Sequence, residues 1–204
     1  MSLTVAEVNK LKLAPVEGML PAIAQRWSPR SFKDQAVALA DLRIILEAAR
    51  WSASSSNVQP WQLLVGMKGS ETYDKILAAL VPFNQSWAHN AGVLILGTAL
   101  ANDPKGNANH YALYDLGQSV AQLVIQTEAL GLAAHSMGGF DHGAARAAFG
   151  LSSDHILGAV TAIGYQAEPD ALTHEGLRAR EVALRERKPL SEVALTALGT
   201  PLSF

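Results

Sequence analysis

The stretch "AGVLILGTALA", residues 91–101, decides the fold. It is the longest apolar run in the chain, and it is too short to span a bilayer as a helix. Its core, residues 92–99, is rich in branched aliphatic side chains. A short, continuously apolar run of that kind reads as a strand buried on both faces. The flanking segments then have to supply what covers it.

Upstream, "LADLRIILEAARWSA" (39–53) carries Leu39, Leu42, Leu46 and Ala49 at helical spacing, with Asp41 suited to the first turn. "WQLLVGM" (61–67) follows the turn signal Gln59-Pro60 and reads as a second strand. "SETYDKILAAL" (70–80) reads as a helix closed by Pro82. Downstream comes a polar loop, "NDPKGNANHY", and then the longest helical pattern, residues 111–131. Leu116, Val120, Leu123, Val124 and Thr127 share one face of it, and Gly131 marks its end. "LAAHSM" reads as a short strand. "DHGAARAAFG" reads as a helix with Asp141 as N-cap and Gly150 as stop. "ILGAVTAIGY" (156–165) reads as another buried strand. Helices alternating with short apolar strands predict α/β or α+β layering.

Composition narrows the function. The 204 residues are 49% hydrophobic and 17% charged, enough apolar material for one sizeable core. A formal net charge of -2 gives no general attraction to nucleic acid or to an anionic membrane. The absence of cysteine rules out disulfides, thiolate nucleophiles and cysteine metal sites, and suits the cytoplasm. Residues 1–20 lack a continuous apolar secretory core. The six histidines show no metal-ligand spacing, so no metal is expected. No strand leads into a glycine-rich phosphate fingerprint, which argues against a Rossmann or P-loop site. No nucleophile-elbow motif appears either, and no catalytic acid or base stands out.

Four polar stretches remain. In "RWSPRSF" (26–32), Pro29 restricts the backbone, and alternate residues of an extended segment point the same way. Arg26, Ser28 and Arg30 would then face one anion, for which forked guanidinium donors are suited; spacing alone also allows a solvated turn. "SASSSNVQPWQLLV" (52–65) places Ser54, Ser55 and Asn57 between a helix and a strand, where they either bond the local backbone or line a ligand. In "HSMGGFD" (135–141), Gly138 and Gly139 make either a tight turn or a backbone surface for a flat ligand. "RERKP" (185–189) is either a solvated charge run or a second set of cations for an anion.

Taken in this order, the four stretches resemble the nitroreductase family of flavin enzymes, over roughly residues 20–190. The resemblance implies a single domain over 1–204 with an α+β, three-layer α/β/α fold. Its central, mostly antiparallel sheet would be wrapped by helices, in an intertwined homodimer with FMN at the subunit interface. Arg26, Trp27, Ser28 and Arg30 match the family's first FMN-contacting segment. Ser54, Ser55 and Asn57 match positions that reach FMN from the partner subunit. Asn84 matches an asparagine near the flavin's pyrimidine edge. Gly138 and Gly139 match the segment whose backbone amide points at flavin N5. Arg185 and Arg187 match C-terminal cations on the phosphate, with Lys188 as a one-step alternative in register. The implied activity is hydride transfer from NADH or NADPH through FMN to a nitroaromatic, quinone or flavin, in ping-pong order. Dehalogenase or enone chemistry on FMN, or a non-catalytic FMN-binding module, are the alternatives. Two departures stand out. Some relatives carry glutamate where Gly138 stands and a second lysine where Trp87 stands, which leaves Arg30 as the chief cation expected near the flavin ring. The loop at 101–111 also replaces a longer covering segment, and Phe140, His110 and Tyr111 are candidates to shape the pocket.

Overall fold

A computed structural model describes residues 2–203. The apolar run at its centre is strand β2 (Val93–Leu100). It is flanked by β1 (Trp61–Met67) and β4 (His155–Gly164), and β3 (Ala133–Met137) closes the far side, giving the order β1-β2-β4-β3. Every neighbouring pair is antiparallel. Gly97 falls where the β2–β4 register shifts, between Leu96 and Thr98.

Side-chain parity along β2 builds the three layers. Leu94 and Leu96 join one core cluster with Tyr73, Ile76, Trp87 and Phe140. Val93 and Ile95 join another with Leu42, Ile45 and Leu123. Because successive side chains point to opposite faces, an unbroken apolar strand is what a sheet covered on both sides requires. Helices α4 (Glu71–Ala79), α5 (Pro82–Ala88) and α7 (His142–Phe149) lie with the first cluster. Helices α3 (Leu39–Arg50) and α6 (Ala112–Ala129) lie with the second.

Local signals place the helix ends. Ser70 accepts a hydrogen bond from Tyr73 N at 3.2 Å, and Asp141 accepts one from Ala144 N at 2.9 Å. Gly131 and Gly150 stop their helices at φ values of +74° and +63°. Pro82 opens α5 rather than simply closing α4. Of the apolar face expected on α3, Leu42 and Ala49 are buried and Leu46 packs against the same cluster; Ile45 joins them, and Leu39, in the first turn, is exposed.

Besides α5, five further α-helices and strands lie outside the segments expected from sequence. They are α1 (Val5–Lys12), α2 (Pro21–Gln25), α8 (Glu175–Val182) and a C-terminal hairpin of β5 (Leu195–Ala197) and β6 (Thr200–Pro201). α1 begins with a capping box between Thr4 and Glu7. α1 and α8 matter most, because they carry residues of the candidate site.

Candidate active site

The segment 26–31 is extended, and its burial alternates. Trp27, Pro29 and Ser31 are buried, whereas Arg26, Ser28 and Arg30 are partly exposed. Those three line a cavity of about 350 Å³, with Arg180, Arg185 and Arg187 on its other side. Lys12, Trp27 and His135 complete much of the wall, and Glu186 is its one acidic residue. Positions 12–30 and 180–187 therefore meet in space.

Buried polar contacts hold the segment in place. Glu181, fully buried on α8, accepts hydrogen bonds from Arg30 N and Ser31 N, each at 3.0 Å. Burial raises its carboxyl above the usual range, and those N–H groups and the Arg30 and Lys12 charges oppose that rise. Arg185 Nη1 donates to the carbonyls of Arg26 at 2.7 Å, Lys12 at 3.0 Å and Ala24 at 3.4 Å. Lys12 Nζ donates to Ala183 O and sits 4.6 Å from the Trp27 ring centroid. Trp27 in turn donates from Nε1 to Asn9 Oδ1 at 2.8 Å, so its side chain braces the wall. His135 is buried with Nδ1 2.9 Å from Pro29 O, and burial followed by the Arg30 charge brings its pKa down to about 4. A neutral imidazole then donates from Nδ1 to that carbonyl.

The cations Arg26, Arg185 and Arg187 crowd one another, with Glu128 opposing the depression of Arg26 from a distance beyond a salt bridge. Arg26 is depressed by burial and then by Arg187, and Arg185 by burial and then by Arg187 and Arg26. Among the described residues none of the three has a salt-bridge partner. Arg30 Nε is buried and has no hydrogen-bond partner. Guanidiniums crowded together, one with an orphaned donor, suit a phosphate-bearing ligand. The residues present therefore fit FMN. Arg187 lines the cavity, whereas Lys188 does not and lies 3.9 Å from Glu192.

The other predicted residues lie elsewhere. An apolar groove of about 360 Å³ adjoins the cavity through Arg26 and is lined by Val120, Val124 and Ser136 among others. Gly138 and Gly139 follow directly from β3, which carries Ser136, and among the described residues neither amide donates to a protein acceptor. Asn84 is buried and donates from Nδ2 to Gly139 O at 2.9 Å. A Cβ on Gly139 would come within 2.8 Å of that Nδ2, so the pair is fitted as a unit. Asn84 thus acts on the Gly139 backbone and does not line the cationic cavity.

Ser54, Ser55 and Asn57 are likewise absent from that cavity. Ser55 lines a separate pocket of about 180 Å³ with Asn109, His110 and Tyr111. Ser55 N donates to buried Asp115 at 3.1 Å, and Ser54 Oγ accepts from Gln59 N at 3.0 Å. Ser56, Asn57 and Gln59 all have positive φ, between +50° and +55°. Among the described residues no cluster of histidine, aspartate and glutamate could hold a metal, and no helix is long and apolar enough to cross a membrane.

Comparison with known proteins agrees with this architecture. The family model described as the nitroreductase family matches residues 23–83 and 66–165. An uncharacterised 15.4 kDa protein of Mycolicibacterium smegmatis is 37% identical over 141 residues, covering 67% of this chain and 94% of its own. An NADH dehydrogenase of Thermus thermophilus is 28% identical, covering 78% of this chain and 92% of its own. Among solved structures, an oxidoreductase containing FMN superposes with a TM-score of 0.83 at 31% identity, over 90% of this chain and 94% of its own. An FMN complex from Desulfovibrio desulfuricans superposes with a TM-score of 0.71 at 25% identity, over 88% and 98%.

Proposed function

The chain belongs to the nitroreductase family, and from that premise we propose that it is an FMN-dependent oxidoreductase. It takes hydride from NADH or NADPH and delivers it to an acceptor such as a nitroaromatic, a quinone or a flavin. The observation that carries this reading is the meeting of Arg26 and Arg30 with Arg185 and Arg187 in one cavity. The FMN-containing relative at 31% identity supports it.

FMN, when bound, supplies reversible acceptance and donation of hydride. The protein supplies binding and orientation. Arg26, Arg185 and Arg187 take the phosphate, and Ser28, whose Oγ accepts from Arg26 Nη1 at 3.3 Å, keeps its own hydroxyl hydrogen free to donate. Arg185 also ties the Arg26 carbonyl, so the binding site and its scaffold share a residue. Trp27, held by Asn9 and Lys12, lines the same cavity between Arg26 and Ser28 in sequence. The unpaired amides of Gly138 and Gly139 provide backbone donors for the ring.

The reading includes a homodimer. Ser54, Ser55 and Asn57 do not line the cationic cavity, and Ser55 lines a separate pocket; a second copy brings them to the FMN of its neighbour. Purified protein tests the whole reading. A flavin absorption spectrum that bleaches when NADH or NADPH is added under anaerobic conditions is the expected result. Protein that neither copurifies with flavin nor takes up added FMN overturns it.

A further inference from the structure

The cations of the cavity form two poles. At one, Arg26, Arg185 and Arg187 each lie close enough to perturb another of the three. At the other, the charged neighbours of Arg30 are Glu181, which accepts from its backbone, Arg180, and Lys12, which is already engaged by Ala183 O and the Trp27 ring. Arg180 lines the same cavity but belongs to no stretch singled out by sequence. It leaves the last turn of α8, one residue before Glu181. Its guanidinium lies 5.5 Å from the ring centroid of Phe83, which is 45% exposed and precedes Asn84 on α5. Among the described residues Arg180 has no salt-bridge partner.

α5 itself offers no cation here. Trp87 is 1% exposed, with its ring 4.6 Å from that of His135 and stacked on Phe32. A charge beside Arg30 has to come from another element: Lys12 on α1 is tied to Ala183 O and the Trp27 ring, which leaves Arg180 on α8, in the same cavity.

We propose that Arg180 acts with Arg30 as a second cationic pole that holds the charge FMN gains on reduction. The proposal rests on the FMN reading above. Hydride from NAD(P)H brings two electrons and one proton, so bound FMN gains one negative charge and the nicotinamide loses one. A fixed cation facing that charge favours the reduced form over the oxidised form. Arg180 is exposed, so solvent and salt weaken its contribution. A tenfold preference is the expected scale, which is about 30 mV for a two-electron couple.

The test is the midpoint potential of bound FMN, measured by equilibration with a reference dye, in wild type, Arg180→Ala and Arg180→Lys. Arg180→Ala should bind reduced FMN about tenfold more weakly relative to oxidised FMN, lowering the potential by about 30 mV. Its affinity for oxidised FMN should change by less than about threefold, and Arg180→Lys should restore most of the potential. An unchanged potential in Arg180→Ala overturns the proposal. So does an equal loss of affinity for both redox forms, which would assign Arg180 to the phosphate pole. Wild type that binds no FMN overturns the parent reading as well, whereas FMN bound at an invariant potential overturns only the role of Arg180.

Discussion

Residues 26–30 and residues 54–57 are both short, polar and close to a tryptophan, yet their backbones do opposite things. The first is extended, and alternation sends every second side chain toward one cavity. The second turns through left-handed conformations at Ser56 and Asn57 and is tethered by Asp115. The first meets its complement on its own chain, at Arg180, Arg185 and Arg187. The second meets no ligand-binding partner from the cationic cavity. One stretch forms a site by bringing distant parts of a chain together. The other holds a strained shape that we assign to contact with a second chain.

The largest effect should come from the support beneath the first stretch. Glu181→Ala strands the N–H groups of Arg30 and Ser31 in a buried place, and the loss should be about 3 kcal/mol. Urea unfolding of the flavin-free protein measures it. An unchanged midpoint would mean that the first stretch does not depend on α8, and the contrast with the second would weaken.

His135 gives a pH signature of similar size. Its folded pKa of about 4 lies below the ordinary 6.5. The unfolded chain therefore binds a proton that the native protein refuses. Stability is fully present above about pH 6.5 and declines as pH falls toward 4, by about 3 kcal/mol in all. The difference in stability between wild type and His135→Gln, followed from pH 7 to pH 4, should shrink accordingly. A constant difference would show that His135 does not titrate against Pro29 and Arg30.

Removing a cation probes binding rather than folding. Arg26→Ala loses one charge-assisted contact of about 1.5 to 3 kcal/mol, so FMN should bind roughly ten- to a hundredfold more weakly. Fluorescence titration with FMN measures this, and full retention of flavin on purification would remove Arg26 from the site. The smallest effect belongs to the second stretch. Ser56→Gly relieves a left-handed serine, raising thermal stability by up to about 1 kcal/mol. A fall in stability would mean that the turn is not strained.

The four-stranded sheet and helices α3, α4, α6 and α7 were legible because their signals are local. Unbroken apolar runs, Asp141 as a cap and Gly150 as a stop each act within a few residues. Arg26 and Arg30 could be paired for the same reason, since Pro29 restricts the backbone and parity does the rest, whereas Arg185 and Arg187 rested on the resemblance alone. What could not be read was anything depending on contacts across the chain. Glu181 touches residues 150 positions away, and Lys12 reaches Ala183 across 171. Neither position carries a pattern that distinguishes it from an ordinary surface charge. α1 and α8 are short and polar, so their periodicity is weak, and Thr4 with Glu7 was the one available signal for the first of them. Asn84 and Gly139 appeared as separate candidates, and only the fold shows them as one fitted pair.

The central claim is that guanidiniums from both ends of the chain converge on a phosphate. Comparing FMN with riboflavin tests it most directly, because the two differ only in that group. Titrated into flavin-free protein, FMN should bind at least about a hundredfold more tightly than riboflavin, as two or more charge-assisted bonds require. Equal affinities would contradict the account.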